Sequence, residues 1–133
     1  MTYFEWSDKY DLHVDSMNNE HKILISLMNR LHRQNGEGAS RAELATTLDE
    51  LADFTVKHFS DEERYMESIE YPGLHTHKII HKDLVSTLLD HKAAFDSGGE
   101  LTDEFFQFLK LWLSAHIRGI DMKYARHANG VSA

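Results

Sequence analysis

The chain contains a single proline, Pro72, and its glycines fall mostly in three groups, at 36 and 38, at 73, and at 98 and 99. Proline and glycine are the strongest local breakers of regular structure. Together these positions cut the sequence into four long segments. None of the four alternates with period two, and none is rich in valine or threonine. Apolar residues instead recur at spacings of three and four, the mark of a helix with one buried stripe. The reading is all-α: an up-down-up-down antiparallel four-helix bundle, with helices over roughly 18–36, 40–68, 74–96 and 102–127. The short breaks place consecutive helices side by side. Residues 1–133 are read as a single domain, large enough to bury a core without covalent staples.

The stripes can be assigned residue by residue. The first helix carries Leu24, Leu27, Met28 and Leu31, with Asn18 or Asn19 as the expected N-cap. The second is expected to open on Ser40, with Glu43 completing a capping box. It continues through Leu44, Leu48, Leu51, Thr55 and Phe59. The third carries Leu84, Leu88 and Phe95, and the fourth Phe105, Phe106, Leu109, Trp112 and Ile117. Ahead of the first helix, Phe4, Trp6 and Tyr10 form an aromatic arm expected to pack on the bundle.

Composition narrows the function classes. Apolar residues make up 41% and charged residues 27%, which is globular rather than disordered. There is no cysteine, so disulfides, zinc knuckles, iron–sulfur clusters and thiol catalysis are excluded. A formal charge of -8 argues against nucleic acid as a partner. No apolar run reaches the ~18 residues of a membrane span. A cytoplasmic monomer is expected. The anomaly is histidine, with ten in 133 residues.

Several of these histidines lie in phase with the apolar stripes. His21 is three residues before Leu24. His58 and Glu62 are four apart, as are His77 and His81, and a spacing of four stacks side chains on one helical face. His116 is one turn after Trp112. Asp121 follows His116 by five, about 140° off in a regular helix. A local π-type widening would return it to the His116 face, and Gly119 could ease that distortion. By contrast Glu63 and His75 are expected to face solvent, and His91 to sit at the core boundary. Taken singly, a histidine on a stripe is as readily a packed core residue, and His58–Glu62 as readily a surface pair. Taken together, each helix contributes at least one metal-ligand type to its buried face. Five imidazoles and two carboxylates aimed at one volume describe a metal site.

The segments NNEHK (18–22, preceded by Trp6), HFSDEERYM (58–66), HTHKIIH (75–81) and WLSAHIRGIDMKY (112–124) carry a family resemblance. From about Phe4 to about Tyr124 the chain resembles the hemerythrins, specifically the single-domain bacterial ones. The resemblance implies two iron ions with an oxo or hydroxo bridge and reversible binding of dioxygen, for carriage, storage or sensing. By position His77, His81 and His116 would hold one iron, His21 and His58 the other, and Glu62 and Asp121 would bridge them. One coordination position would stay open, on the iron with two histidines. Phe59, Trp112, Leu113 and Ile117 match the positions that line the oxygen pocket. A binding protein is thus expected rather than an enzyme. The alternatives are a di-iron redox enzyme acting on peroxide or NO, and an oxygen or redox sensor domain cut from a longer signalling protein. Carboxylate-rich di-iron oxygenases are disfavoured, because no Glu-x-x-His pair lies within the candidate ligands.

Overall fold

The structure, a computed structural model, describes residues 3–130. Four long helices dominate: α1 (Asp15–Gly36), α2 (Arg41–Ser68), α3 (Leu74–Asp96) and α4 (Asp103–His116). After α4 the backbone widens into one π-type turn, Ile117–Asp121, and resumes as α5, Met122–Ala128, so that residues 103–128 form one interrupted rod. A short 3-10 turn, Asp8–Tyr10, lies in the arm. No strand occurs among the described residues.

Cross-helix partners fix the direction of every helix. Between α1 and α2, Gln34 meets Thr47, Arg30 meets Glu50 and Glu20 meets His58. Between α2 and α3, Asp49 meets Lys92 and Glu63 meets His81. His91 packs on Phe105 and His81 on His116 between α3 and α4. The ring closes where His32 meets Phe106 and His21 meets Asp121. In each set the numbers rise on one helix as they fall on the next, so all four neighbours are antiparallel.

The helix ends follow their local chemistry, with one exception. Ser40 and Thr102 cap α2 and α4, their hydroxyls accepting from the amides of Glu43 and Phe105. Gly98, at φ +111, supplies the turn after α3, where an L side chain would be strained. The first helix differs from expectation. It begins at Asp15, not at Asn18 or Asn19, and has no side-chain cap. Asn18 is buried inside it. Its amide oxygen accepts from the Leu12 backbone N–H at 3.0 Å, and its amide nitrogen donates to Asp11 at 2.8 Å. The side chain that could have capped the helix fastens the arm instead.

The arm packs as its aromatics require. Phe4 is 2% exposed, and both its backbone N–H and C=O are paired to the Asn29 amide at 2.8 Å. Tyr3 stacks on His32, and the Tyr10 hydroxyl reaches Ser114.

The core divides along the bundle axis. Toward one end it is mainly apolar, with Leu24, Leu31, Leu48, Leu88, Phe95, Phe105 and Leu109 buried. Each such side chain contributes about 1.5–3 kcal/mol by leaving water. Toward the other end the same stripes change to histidine and carboxylate.

Candidate metal centre

The seven residues in phase with the stripes meet in one volume. His21, His58, Glu62, His77, His81, His116 and Asp121 are all 5% exposed or less. His21 comes from the start of α1, His58 and Glu62 from the last turns of α2, His77 and His81 from the first turns of α3, and His116 from the end of α4. Asp121 arrives through the π-type turn, which carries it onto the His116 face. His116 Nε2 and Asp121 Oδ1 are 3.0 Å apart. The expected widening is therefore present. Gly119 is not what permits it: this glycine has no left-handed φ, and a Cβ there would meet nothing within 4 Å. We expect Gly119→Ala to keep the centre's metal content and to hold or slightly raise the melting temperature, since alanine only narrows the unfolded ensemble there. Loss of metal in that variant would show that the glycine is required.

The two carboxylates organise the cluster. Asp121 turns Oδ1 toward His77 (3.1 Å) and His116, and Oδ2 toward His21 (3.2 Å). Glu62 turns Oε1 toward His81 (3.1 Å) and Oε2 toward His21 (3.4 Å) and His58 (3.5 Å). Each carboxylate thus divides its oxygens between two groups of imidazoles, His77, His81 and His116 on one side, His21 and His58 on the other. Donor atoms suited to a cation accordingly form two groups that share Glu62, each within a 4.8 Å span.

The atoms facing this volume are short of partners. His21 Nε2, His58 Nε2, His81 Nε2, Glu62 Oε1 and both Asp121 oxygens are buried without a hydrogen bond. Leaving one such group unsatisfied costs about 1–3 kcal/mol, more when it is charged. So many in one place is explained by a shared cation partner. The donor set, imidazole with carboxylate and no sulfur, suits a first-row transition ion rather than calcium or magnesium.

Electrostatics say the same. Burial presses His21 toward neutrality, but its contacts with Asp121 and Glu62 outweigh that and hold its imidazole up at about 9. Burial and the Asp121 charge press Glu62 upward, yet His58, His21 and His81 bring it down to about 2. Asp121 is held well below the usual carboxylate range, against its burial, chiefly by His116. The site stabilises negative oxygens and the positive charge between them.

The four apolar residues Phe59, Trp112, Leu113 and Ile117 are all 6% exposed or less. Phe59 stacks on His81 with ring centres 3.8 Å apart and meets Trp112 edge-on. Three polar residues near the donors escape a reading of stripes alone. The Tyr124 hydroxyl donates to Glu62 Oε2 at 2.7 Å, and burial beside that carboxylate pushes its pKa well up. Glu20 and Glu63 contact His58 and His81. Glu63 was expected in solvent; it leans instead along the α2–α3 seam, side chain 27% exposed. The available signal was adjacency, since Glu20 precedes His21 and Glu63 follows Glu62. His75 is exposed, and His91 packs against Phe105 and Phe108, away from the cluster.

Comparison with known proteins places this geometry. Residues 12–128 match the family model described as Hemerythrin HHE cation binding domain. The chain is 32% identical over 125 residues to the bacteriohemerythrin of Stenotrophomonas maltophilia, covering 94% of this chain and 81% of the relative. It is 31% identical to the myohemerythrin of Riftia pachyptila, covering 91% and 90%. A crystal structure of wild-type hemerythrin superposes with a TM-score of 0.87 at 30% identity, covering 92% of this chain and 95% of that one. A hemerythrin point mutant gives 0.89 at 29% identity, with 96% and 98% covered. On its sequence, its fold and its buried cluster of imidazoles and carboxylates, the chain belongs to the hemerythrin family.

Proposed function

We propose that this protein binds dioxygen reversibly at a di-iron centre held by His21, His58, Glu62, His77, His81, His116 and Asp121. The observation that carries this reading is the division of oxygens in Glu62 and Asp121 between two imidazole groups, which suits two bridged ions. A ferrous pair held by these residues would supply the two electrons that dioxygen binding takes up and its release returns. The protein's part is to hold, shield and orient. Three imidazoles face one side and two the other, so the His21–His58 side would be the one with room for dioxygen. Five neutral imidazoles against two carboxylates favour binding and release over cleavage of the oxygen–oxygen bond. Phe59, Trp112, Leu113 and Ile117 wall the volume with apolar surface and keep water and anions from the open side. Tyr124 holds Glu62 in place through its hydroxyl.

On this reading the chain is an oxygen-binding protein rather than a catalyst, acting as a cytoplasmic monomer. Large exposed apolar residues, Ile23, Val56, Ile79, Leu89 and Leu111, are scattered over all four long helices, which supports the monomer. No helix among the described residues is long and apolar enough to cross a membrane.

The test is a metal count with an optical spectrum. Reduced, iron-loaded protein should hold two irons per chain and be nearly colourless without oxygen. Air should produce a visible absorption band, and removal of oxygen should abolish it. A fully iron-loaded protein that stays colourless in air would overturn the proposal.

A further inference from the structure

Two carboxylates outside the seven-residue cluster hold imidazoles inside it. Glu20 Oε1 lies 2.6 Å from Nδ1 of His58, and Glu63 Oε2 lies 2.9 Å from Nδ1 of His81. The two contacts repeat one arrangement. In α1, Glu20 is the residue before His21, and it reaches across to His58 on α2. In α2, Glu63 is the residue after Glu62, and it reaches across to His81 on α3. In both helices a residue of the cluster thus has a sequence neighbour that reaches an imidazole of the next helix. A step of about 100° per residue moves that neighbour from the core face to the flank, where it faces the seam between helices.

The chemistry of the contact is directional. A carboxylate accepts, so Nδ1 of each imidazole carries the hydrogen, and in the neutral ring that a metal ion requires Nε2 keeps its lone pair. In both histidines that Nε2 is the atom turned into the cluster: His58 Nε2 faces Glu62 Oε2 and His81 Nε2 faces Glu62 Oε1. A negative partner behind Nδ1 also strengthens Nε2 as a donor. His21 and His77 lack this support, for their Nδ1 atoms are buried without a hydrogen bond. Glu62 therefore has one carboxylate-backed imidazole on each side, reached through a different oxygen.

Neither contact is a by-product of nearby surface charge. Glu20 lies near Lys57, but at 3.7 Å, longer than its 2.6 Å contact with His58. Glu63 lines a groove of about 340 Å³ between α2 and α3 that Lys78 and Lys82 also line, yet its ion-pair partner is His81.

We propose that Glu20 and Glu63 are positioning residues, each setting the tautomer and donor strength of one imidazole, so that the affinities for the two ions are set separately, by Glu20 through His58 and by Glu63 through His81. This rests on the seven residues being the ligand set. The full chain, titrated with ferrous iron without oxygen, should bind in two steps. Glu20→Gln keeps the shape and removes the charge, and should weaken one step roughly 10–100-fold. Glu63→Gln should weaken the other step by a similar factor, and the double variant both, with helical content unchanged. If neither step weakens, if each single variant weakens both steps equally, or if both variants weaken the same step, the proposal fails. A second readout needs no metal. Nitrogen-15 NMR of the metal-free chain at pH 8 should show His58 and His81 protonated at Nδ1. Glu20→Ala should release that preference at His58 and leave His81 unchanged; a preference at His58 that survives the loss of Glu20 would overturn the assignment. If the parent takes up no iron, the ligand set fails, while the NMR result still decides the role of the two carboxylates.

Discussion

Replacing Asp121 by alanine is expected to strip the centre of iron while leaving the bundle folded. Asp121 is fully buried and is the side chain whose two oxygens face the His77–His116 side and His21 at 3.0–3.2 Å. On the proposed ligand set its loss would remove a donor from both ions and the negative charge that offsets theirs. Glu62, the other shared carboxylate, remains, but it cannot neutralise two cations alone. We expect the iron content to fall from two per chain to below one, and the oxygen-dependent absorption to vanish. The bundle should survive, because the apolar half of the core, from Leu24 to Phe105, does not touch Asp121's role. Circular dichroism should show unchanged helix content. An Asp121→Ala protein that keeps two irons would mean this carboxylate is not a bridge.

Leu113→Ala is expected to damage both stability and oxygen binding. Leu113 is 1% exposed and lies one turn before His116 in α4. Truncating a fully buried leucine costs about 3–5 kcal/mol, the lost burial plus the cavity left behind. On the proposed reading the same cavity would open the apolar wall beside the centre, so the oxygen-bound protein should oxidise irreversibly at a faster rate. Denaturant unfolding measures the first effect, and decay of the visible band in air the second. Leu111→Ala is the control on the same helix. Leu111 is 67% exposed, so its truncation should stay within about 0.5 kcal/mol and leave the decay rate alone. Equal decay rates for the two variants would remove Leu113 from the wall.

Much of the fold was legible because helix periodicity is local. Leu24, Leu31, Leu48, Leu88 and Leu109 sit on stripes that a 3.6-residue period exposes directly, and all are buried. The cap at Ser40 was legible for the same reason. Asn18 was not, since its amide serves residues of the arm, and that depends on where the arm lies. The five-residue interval from His116 to Asp121 made a π-type turn the condition for both to share one face, and the turn is there. It said nothing reliable about Gly119, whose surroundings prove open.

The sequence alone determined how many helices there are, which face of each is buried, and which seven side chains of metal-ligand type lie on those faces. This follows from the angular step between residues of one helix, except for Asp121, which reaches the His116 face only through the π-type turn. Tertiary structure alone decided which oxygen of Glu62 and Asp121 faces which imidazole, that Tyr124 reaches Glu62, and that Glu20 and Glu63 leave the solvent for His58 and His81. The reason is that these are contacts between helices. They depend on the antiparallel register and on the rotation of each helix about its axis, and differences of a few ångströms in either would pair different atoms.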